Sequence, residues 1–211
     1  MIKKVLVIFL FFYLAFASTA VVAQNVDDYE ISDFESGDVF GFGCPLMEFS
    51  QIDKRLGISI GGDAYLMVKK RFYVGGYGLG LATKMQYDYT DSISYQDLKL
   101  SFGHAGLMVG YINKPTKSIH WSVSARAGMG SIGLIDKIYG VNYFRVIKDQ
   151  VYVFTPQLEI EFLISPWIKF NMGVGYRIVT GVNNPAFSSS DFNSPVFSMS
   201  MLFGKFADEV E

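Results

Sequence analysis

Apolar residues alternate with small or polar residues at a period of two in segment after segment from residue 41 onward. The clearest segments are residues 57–68, 73–87, 119–131, 151–164, 167–178 and 197–204. In the third of them, Ile119 and Trp121 alternate with His120 and Ser122. Successive side chains of a β-strand point to opposite faces, so this period predicts strands. Beyond the first 23 residues no stripe with the helical period of 3.6 occurs.

Two further segments are less regular but also predict strands. Residues 41–53 contain Pro45 near the start, and residues 95–112 change the side on which their apolar residues fall. The change occurs near Gly103 and His104, which predicts a β-bulge because a bulge absorbs one extra residue. The total is eight strands.

Alternation alone leaves two kinds of eight-stranded barrel open. A soluble ligand-carrying barrel places its apolar set inside, whereas a transmembrane barrel turns the apolar set toward lipid. Half of the residues are hydrophobic, only 18% are charged, and 21 are glycines that fall mainly on the non-apolar set. Small residues suit a narrow interior better than a solvated surface, and no apolar run after residue 23 is long enough for a membrane helix. We therefore predict an all-β fold, an eight-stranded antiparallel transmembrane up-and-down β-barrel.

The lengths of the connections predict the orientation of this barrel. Residues 69–71, 113–117 and 165–166 form short connections, and residues 133–149 and 181–194 form long ones. Short periplasmic turns and longer external loops are typical of outer-membrane barrels. The predicted outward residues include Leu79, Val123, Phe170 and Met199, and the predicted inward residues include Lys84, Arg126, Lys169 and Ser200.

The start of the chain predicts export. Lys3 and Lys4 precede an uninterrupted apolar or aromatic stretch at residues 5–17, and small residues lead up to Ala23. This pattern is typical of a secretory signal peptide, with cleavage expected after Ala23. The predicted organisation is a signal peptide at 1–23, a flexible periplasmic lead-in at 24–40, the barrel at 41–206 and an acidic tail at 207–211.

Glycine-aromatic motifs recur in the predicted strands. They are GFGCPL at 41–46, YVGGYGLG at 73–80, GVGYR at 173–177 and FGKF at 203–206. With these motifs the chain, over residues 40–206, resembles the small outer-membrane β-barrel proteins of Gram-negative cells. The resemblance implies outer-membrane lipid and the barrel assembly machinery as partners. Such barrels commonly end in an aromatic residue, whereas here five residues follow Phe206.

Several charged residues fall on the predicted inward face. The candidates for ion pairs in the lumen are Asp63, Lys84, Arg126, Glu159, Glu161, Lys169 and Arg177. Asp97 and Lys99 share this face, which gives five cations and four anions, and buried charges are tolerated when they are paired. If the hairpin around 165–166 has matched faces, Glu161 lies opposite Lys169 and Glu159 opposite Asn171, so we predict a Glu161–Lys169 salt bridge.

Motifs for enzymatic chemistry are absent from the sequence. His104 and His120 are the only histidines, and neither falls on a predicted external loop beside a serine. Cys44 is the only cysteine, and no metal-binding, nucleotide-binding or nucleophile-elbow motif occurs. The longest basic run is Lys69-Lys70-Arg71, which argues against a nucleic-acid partner. We expect neither a cofactor nor a metal, and we expect that the protein is not an enzyme.

The sequence leaves two roles for a membrane barrel open. The first is a structural or surface-binding role with a lumen filled by ion pairs, in which loop 133–149 contacts a surface partner. Its candidate binding residues are Tyr139, Tyr143, Phe144 and Arg145, and residues 188–191 are expected to form a flexible polar loop. The second role is a narrow channel or transporter for small solutes.

Overall fold

A computed structural model describes residues 40–68, 71–87, 98–114, 117–138, 142–183, 187–204 and 206 of the chain. The strands are β1 (Phe40–Ile52), β2 (Arg55–Val68), β3 (Phe72–Leu81), β4 (Gln86–Tyr87), β5 (Leu98–Ile112), β6 (Ile119–Ile138), β7 (Asn142–Ser165), β8 (Ile168–Thr180) and β9 (Ser194–Phe203). One 3₁₀ turn lies at Ser189–Asp191. The predicted signal peptide, most of the lead-in and the acidic tail lie outside the described residues.

The strands form a closed antiparallel barrel. The strands pair with their neighbours in chain order, except that β3 pairs with β5 and not with β4, and β1 pairs with β9 to close the sheet. The short strand β4 pairs with β5, as does β3, so β3 and β4 together occupy one position in the wall. The barrel thus has eight strand positions, which confirms the predicted fold class.

Each end of the barrel contains a two-residue turn. We call the end where β1 begins and β9 ends the near end, and the opposite end the far end. At the near end Pro166 and Trp167 form a tight turn between β7 and β8. At the far end Asp53 and Lys54 form a two-residue turn with φ of 46° and 60°, the left-handed pair that twisted hairpins favour. No helix in the described part of the chain is long and apolar enough to cross a membrane.

The connection between β6 and β7 is much shorter than predicted. Instead of a loop over 133–149, β6 continues to Ile138 and β7 starts at Asn142, and these two residues pair. One register shift occurs in this hairpin, near Leu134 and Ile135. Ile132, Leu134 and Val151 are buried inside the barrel, so the strand alternation continues through the segment. The prediction of a long loop is wrong because these apolar residues fill the far end of the lumen.

The predicted bulge in β5 is also absent. The pairing of β5 with β6 runs without a shift from Lys99↔Ile135 to Ile112↔Ser122. Leu98, Leu100 and Phe102 face the lumen, while Leu107 and Val109 face outward from the same regular strand. The apolar side changes along β5 because the lumen is apolar at the far end, and no residue is inserted.

The outward faces of β2 and of β6 to β9 follow the prediction. Val123 is exposed and Phe170 and Met199 are partly exposed, whereas Arg126, Lys169 and Ser200 are buried inside. The prediction is wrong for β3, where Leu79 lies inside together with Tyr73 and Tyr77. The reason is that Gly76, Gly78 and Gly80 occupy outward positions in the second half of β3, while Tyr77 and Leu79 beside them fill the lumen.

Candidate functional site

The lumen has an apolar cluster at each end. The near-end cluster consists of Phe42, Cys44, Leu46, Tyr65, Tyr73, Tyr77, Leu79, Met108, Ile112, Leu163, Leu202 and Phe206. The far-end cluster consists of Ile52, Met85, Leu98, Leu100, Phe102, Ile132, Leu134, Val151, Val153, Val179, Phe187 and Phe192. The buried charged side chains lie between these two clusters or beside the near-end cluster. Side chains therefore fill the interior of the barrel along its length.

The centre of the lumen holds one carboxylate between two guanidinium groups. Arg126 Nη2 donates to Glu48 Oε2 at 2.9 Å, and Arg177 Nη1 donates to Glu48 Oε1 at 3.2 Å. The relative exposures of Glu48, Arg126 and Arg177 are 0%, 2% and 0%. Charged side chains this deeply buried are tolerated only when they are paired, and these three pair across strands β1, β6 and β8.

Sequence reasoning missed Glu48, although it is the hub of this group. The signal was present, because Glu48 is the only charged residue in β1 and follows Phe42, Cys44 and Leu46 on one face of the strand. A lone carboxylate on an inward strand face requires a buried cation as its partner.

Glu161 forms a second buried group near the near end. His120 Nε2 lies 3.0 Å from Glu161 Oε2, Lys169 Nζ lies 3.7 Å from the same oxygen, and Ser122 Oγ donates to Oε1 at 3.3 Å. His120 Nδ1 lies 2.9 Å from the backbone oxygen of Lys117. Both ring nitrogens of His120 therefore lie within hydrogen-bonding distance of an oxygen atom.

The predicted Glu161–Lys169 contact is present, but the predicted register is wrong by two residues. Glu161 lies opposite Asn171, and Lys169 lies opposite Leu163. The difference arises because the turn lies at Pro166 and Trp167, one residue later than predicted, with a one-residue register shift between Leu163 and Ser165. Lys169 therefore reaches Glu161 diagonally. Diagonal neighbours across two strands stay within reach of long side chains.

The other two lumenal carboxylates have polar partners. Glu159 accepts hydrogen bonds from Asn171 Nδ2 at 3.0 Å, from Ser122 Oγ at 3.2 Å and from the Ser124 hydroxyl. Asp63 accepts a hydrogen bond from the Cys44 thiol. With Glu48 and Glu161, four acidic side chains share the lumen with the cations Arg126, Lys169 and Arg177 and with His120.

Six of the seven predicted lumenal charges do lie inside, and Lys84 does not. Lys84 is exposed in the segment between Leu81, where β3 ends, and Gln86, where β4 begins. The alternation of exposure continues through this segment, with Ala82 and Gln86 also exposed, so Lys84 faces outward for the same reason as the glycines of β3. Lys99 lies on the outward face of β5, and Asp97 lies outside the described residues.

The far mouth of the barrel is covered by the segment between β8 and β9. Phe192, which is 0% exposed, and the buried Phe187 insert into the far-end cluster. Arg177 Nε donates to the Phe192 carbonyl oxygen at 3.0 Å, and the Asp53 amide donates to the Asp191 carbonyl oxygen at 2.7 Å. Residues 188–191, predicted as a flexible polar loop, are polar and lie at the surface, but Ser189–Asp191 form a 3₁₀ turn and the flanking phenylalanines pack into the lumen.

The near mouth is covered by Phe206. Its ring stacks on Phe42 with centroids 4.8 Å apart, and Lys169 Nζ lies 4.7 Å above the same ring. The Phe206 amide donates to the Pro166 carbonyl oxygen at 2.6 Å. Gly204 allows the chain to turn inward here, because a Cβ at this position would overlap the Phe42 ring.

Little free space remains inside. A cavity of about 10 Å³ lies among residues that include Asp63, Arg126, Gln157 and Glu159. Within the described part of the chain, Arg126 Nε and Nη1 and Gln157 Nε2 are buried without a hydrogen-bond partner. A space of this size, lined by polar groups, accommodates about one water molecule.

The remaining candidates do not assemble into a reactive site. His104 Nδ1 lies 3.2 Å from the Tyr77 hydroxyl inside the barrel, and His120 is engaged by Glu161 and a backbone oxygen. The described residues contain no group of three or more histidine, cysteine or acidic side chains that could hold a metal ion. Tyr143, Phe144 and Arg145 lie in strand β7 rather than in a loop, and Tyr139 lies outside the described residues.

The fold is that of the small eight-stranded barrels found in outer-membrane proteins. The chain is similar to Neisserial surface protein A, with a TM-score of 0.51, 10% identity, and 80% of this chain and 97% of that chain covered. It also matches the N-terminal barrel of Pseudomonas aeruginosa OprF (TM-score 0.44, 10% identity, 78% and 96% covered) and Yersinia pestis Ail (0.42, 9%, 79% and 96%). No protein-family model and no curated protein matches the chain.

Proposed function

We propose that the protein is an integral outer-membrane β-barrel with a lumen closed to solutes, and that its role is structural or surface-binding. In this proposal the near end faces the periplasm and the far end faces the cell exterior.

Membrane insertion is supported by the outer wall of the barrel. Its exposed large apolar residues are Leu56, Ile60, Leu66, Val68, Phe72, Val74, Leu107, Val109, Ile119, Trp121, Val123, Met129, Tyr152, Phe154, Leu158, Ile160, Trp167, Val174, Tyr176, Ile178, Phe197, Met201 and Phe203. A continuous apolar surface of this kind is foreign to soluble monomers and typical of a lipid-facing band. On β7 the outward apolar positions run from Tyr152 to Phe162, which matches the about 9–11 residues of a membrane-crossing strand. The same observation argues against a soluble ligand-carrying barrel.

The orientation is supported by the connections. Tight turns of the kind at Pro166-Trp167 are typical of the periplasmic end, whereas longer connections are typical of the external end. The two-residue turn between β1 and β2 is the short exception at the far end. The far end carries the connection between β8 and β9 and the β6–β7 hairpin, which continues to Ile138 and Asn142 beyond the apolar band. This hairpin is the part of the described chain best placed to meet a surface partner.

The closed lumen is inferred from one observation, that side chains occupy the interior at both mouths and at the centre of the barrel. Phe206 covers the near mouth, Glu48 and its two arginines cross the centre, and Phe187 and Phe192 cover the far mouth. An internal cavity of about 10 Å³ provides no continuous path for a solute.

Planar-bilayer recording of the purified full-length chain tests the closed lumen. We expect no discrete openings under conditions in which a known porin conducts. Reproducible openings that disappear in Arg126→Ala or Glu159→Ala would contradict the proposal and support the channel alternative.

Fractionation tests the location. Expressed in a Gram-negative host, the full chain should enter the outer-membrane fraction, and its N-terminus determined by mass spectrometry should be Gln24. External protease should cut within the β6–β7 hairpin and spare the turn at Pro166. Recovery in the soluble periplasmic fraction would contradict membrane insertion.

A further inference from the structure

The outer wall of the barrel contains a groove where β1 and β9 meet near the far end. The groove has a volume of about 560 Å³, and its lining includes Phe49, Leu56, Val174, Pro195 and Phe197. This volume falls within the range of sites that hold small organic ligands. The side chains of Leu56, Val174 and Phe197 are exposed on the outer wall, so the groove opens outward and not into the lumen.

The groove lies where the two strands separate. The pairing of β1 with β9 ends at Ser50↔Val196, although β1 continues to pair with β2 as far as Ile52, and β9 with β8 as far as Ser194. The next residue of β9 is Pro195, which has no backbone N–H to donate to a neighbouring strand. Pro195 therefore explains why the pairing of β1 with β9 ends here.

The gap is closed on its inner side. Arg177 Nη2 donates to the Gln51 carbonyl oxygen and to Ser194 Oγ, both at 3.4 Å. These contacts join the end of β1 to the start of β9 through a side chain where the backbone pairing has stopped. A ligand in the groove would thus contact the outer wall and the edges of β1 and β9, and would be separated from the lumen.

A cation stands at the far-end rim of the groove. Lys54 is part of the lining and is exposed in the two-residue turn between β1 and β2. Among the residues that the structure describes, Lys54 has no ion-pair partner, whereas Asp53 beside it is paired with Arg55 at 3.2 Å. Asp53, Lys54 and Arg55 together therefore carry a net positive charge next to an apolar surface.

We propose that this groove binds one acyl chain of an anionic, phosphate-bearing membrane lipid, with the Lys54 ammonium bound to the lipid phosphate. The inference rests on the proposed membrane location, because it requires lipid at the outer wall. Its ligand combines an apolar chain, which matches the groove, with a negative headgroup at the height of Lys54. A zwitterionic lipid fits the apolar part equally well but is attracted less by the ammonium group.

Quenching of tryptophan fluorescence by lipids with brominated acyl chains tests the proposal. One protein carries a reporter tryptophan in the groove, through Phe197→Trp with Trp121→Phe and Trp167→Phe. A second protein, Trp167→Phe, keeps only Trp121, which lies on the outer wall of β6. Each is reconstituted in phosphatidylcholine vesicles containing an equal minor fraction of brominated phosphatidylglycerol or brominated phosphatidylcholine.

We expect the fluorescence of the groove reporter to be quenched more strongly by brominated phosphatidylglycerol, with an apparent preference of about two- to fivefold, the range for one lysine at a membrane surface. Lys54→Gln should remove this preference. Lys114→Gln is the matched control, since Lys114 is also an exposed lysine with a positive φ of 51° but lies in a near-end turn. It should leave the preference unchanged.

Two failures are distinguishable. Equal quenching of the groove reporter by both lipids, with normal quenching of Trp121, would overturn the anionic-lipid site and leave the membrane barrel intact. Absence of quenching at both tryptophans would show that the wall does not contact lipid, and the proposed function would fail with it.

Discussion

Neutralising Glu48 tests whether the central charged group stabilises the barrel. Glu48→Gln preserves the size of the side chain and removes the negative charge from between Arg126 and Arg177. Both guanidinium groups would then lack their carboxylate partner in a site where none of the three side chains is more than 2% exposed. The glutamine amide would keep one acceptor oxygen and present an NH2 group in place of the other. Arg177 would also keep contacts with carbonyl and hydroxyl oxygens, whereas Arg126 has no second hydrogen bond among the described residues.

The magnitude follows from the burial of these contacts. Removing one partner of a buried ion pair costs about 3–5 kcal/mol, because the remaining charge is left without compensation. We therefore expect Glu48→Gln to lower the free energy of unfolding by about 3–5 kcal/mol, a large part of the about 5–15 kcal/mol of a typical domain. Adding Arg126→Met should recover about 1–3 kcal/mol, since it removes one of the uncompensated cations.

Reversible urea unfolding in lipid vesicles provides the measurement. Trp121 and Trp167 lie exposed on the outer wall, so their fluorescence reports loss of the folded, lipid-facing state. The matched control is Asp53→Asn, which breaks the exposed Asp53–Arg55 pair and should cost at most about 1 kcal/mol. If Glu48→Gln loses no more stability than Asp53→Asn, the buried charge is not what stabilises the centre, and the reasoning is refuted.

Three further predictions use the same unfolding measurement. Gly106→Ala should lower the free energy of unfolding by about 1–3 kcal/mol, because the added Cβ would overlap backbone atoms of β6. Gly78→Ala should be nearly neutral, because no heavy atom lies nearer than 3.9 Å to the added Cβ. Equal effects of the two substitutions would contradict this reasoning. Phe192→Ala should lower the free energy of unfolding by about 3–5 kcal/mol and make the β8–β9 segment sensitive to protease. A segment that stays resistant to protease without Phe192 would contradict its role as an anchor. Glu161→Gln should destabilise the protein more than Lys169→Met does. Glu161 also binds a histidine and a serine, whereas Lys169 has a single ion pair among the described residues, at 3.7 Å. The reverse order of destabilisation would contradict this prediction.

The sequence predicts most of the architecture because period-two alternation is a local property. Strands β2 and β6 to β9 carry bulky apolar residues on one face and small or polar residues on the other, so both their existence and their faces could be predicted. Strand β3 violates the rule that glycine lies inside. Its outward face carries Gly76 and Gly78, while Tyr73 and Leu79 fill the lumen, and only packing against other strands reveals this.

The lumenal site could be predicted only in part, for reasons of register and tertiary contact. Arg126, Lys169 and Arg177 could be assigned to the lumen from their strand face alone. Their partners depend on which residues meet across the barrel, and Glu48 and Arg177 are 129 positions apart in the chain. The register shift near Ser165 likewise changes the neighbour of Lys169 and has no clear sequence signal.

The covered far mouth was missed because its segment looks polar. Residues 188–191 are three serines and an aspartate, and they form a short helical turn at the surface. The anchors flank this turn on both sides, at Phe187 and Phe192. Two phenylalanines around a polar segment were the available signal, but the space that receives them exists only in the closed barrel.

The shortened pairing between β1 and β9 has a consequence for how the barrel opens. Among the described residues, six pairs join β1 to β9, whereas thirteen join β1 to β2. Pro45 lies where the β1–β9 ladder is interrupted, and Pro195 lies where it ends. This seam also joins the two strands that are farthest apart in the chain. Fewer hydrogen bonds give a lower free energy of local opening. Amide protons of β1 and β9 should therefore exchange with solvent before those of the β6–β7 hairpin, and unfolding should begin with the cylinder reopening into a curved sheet.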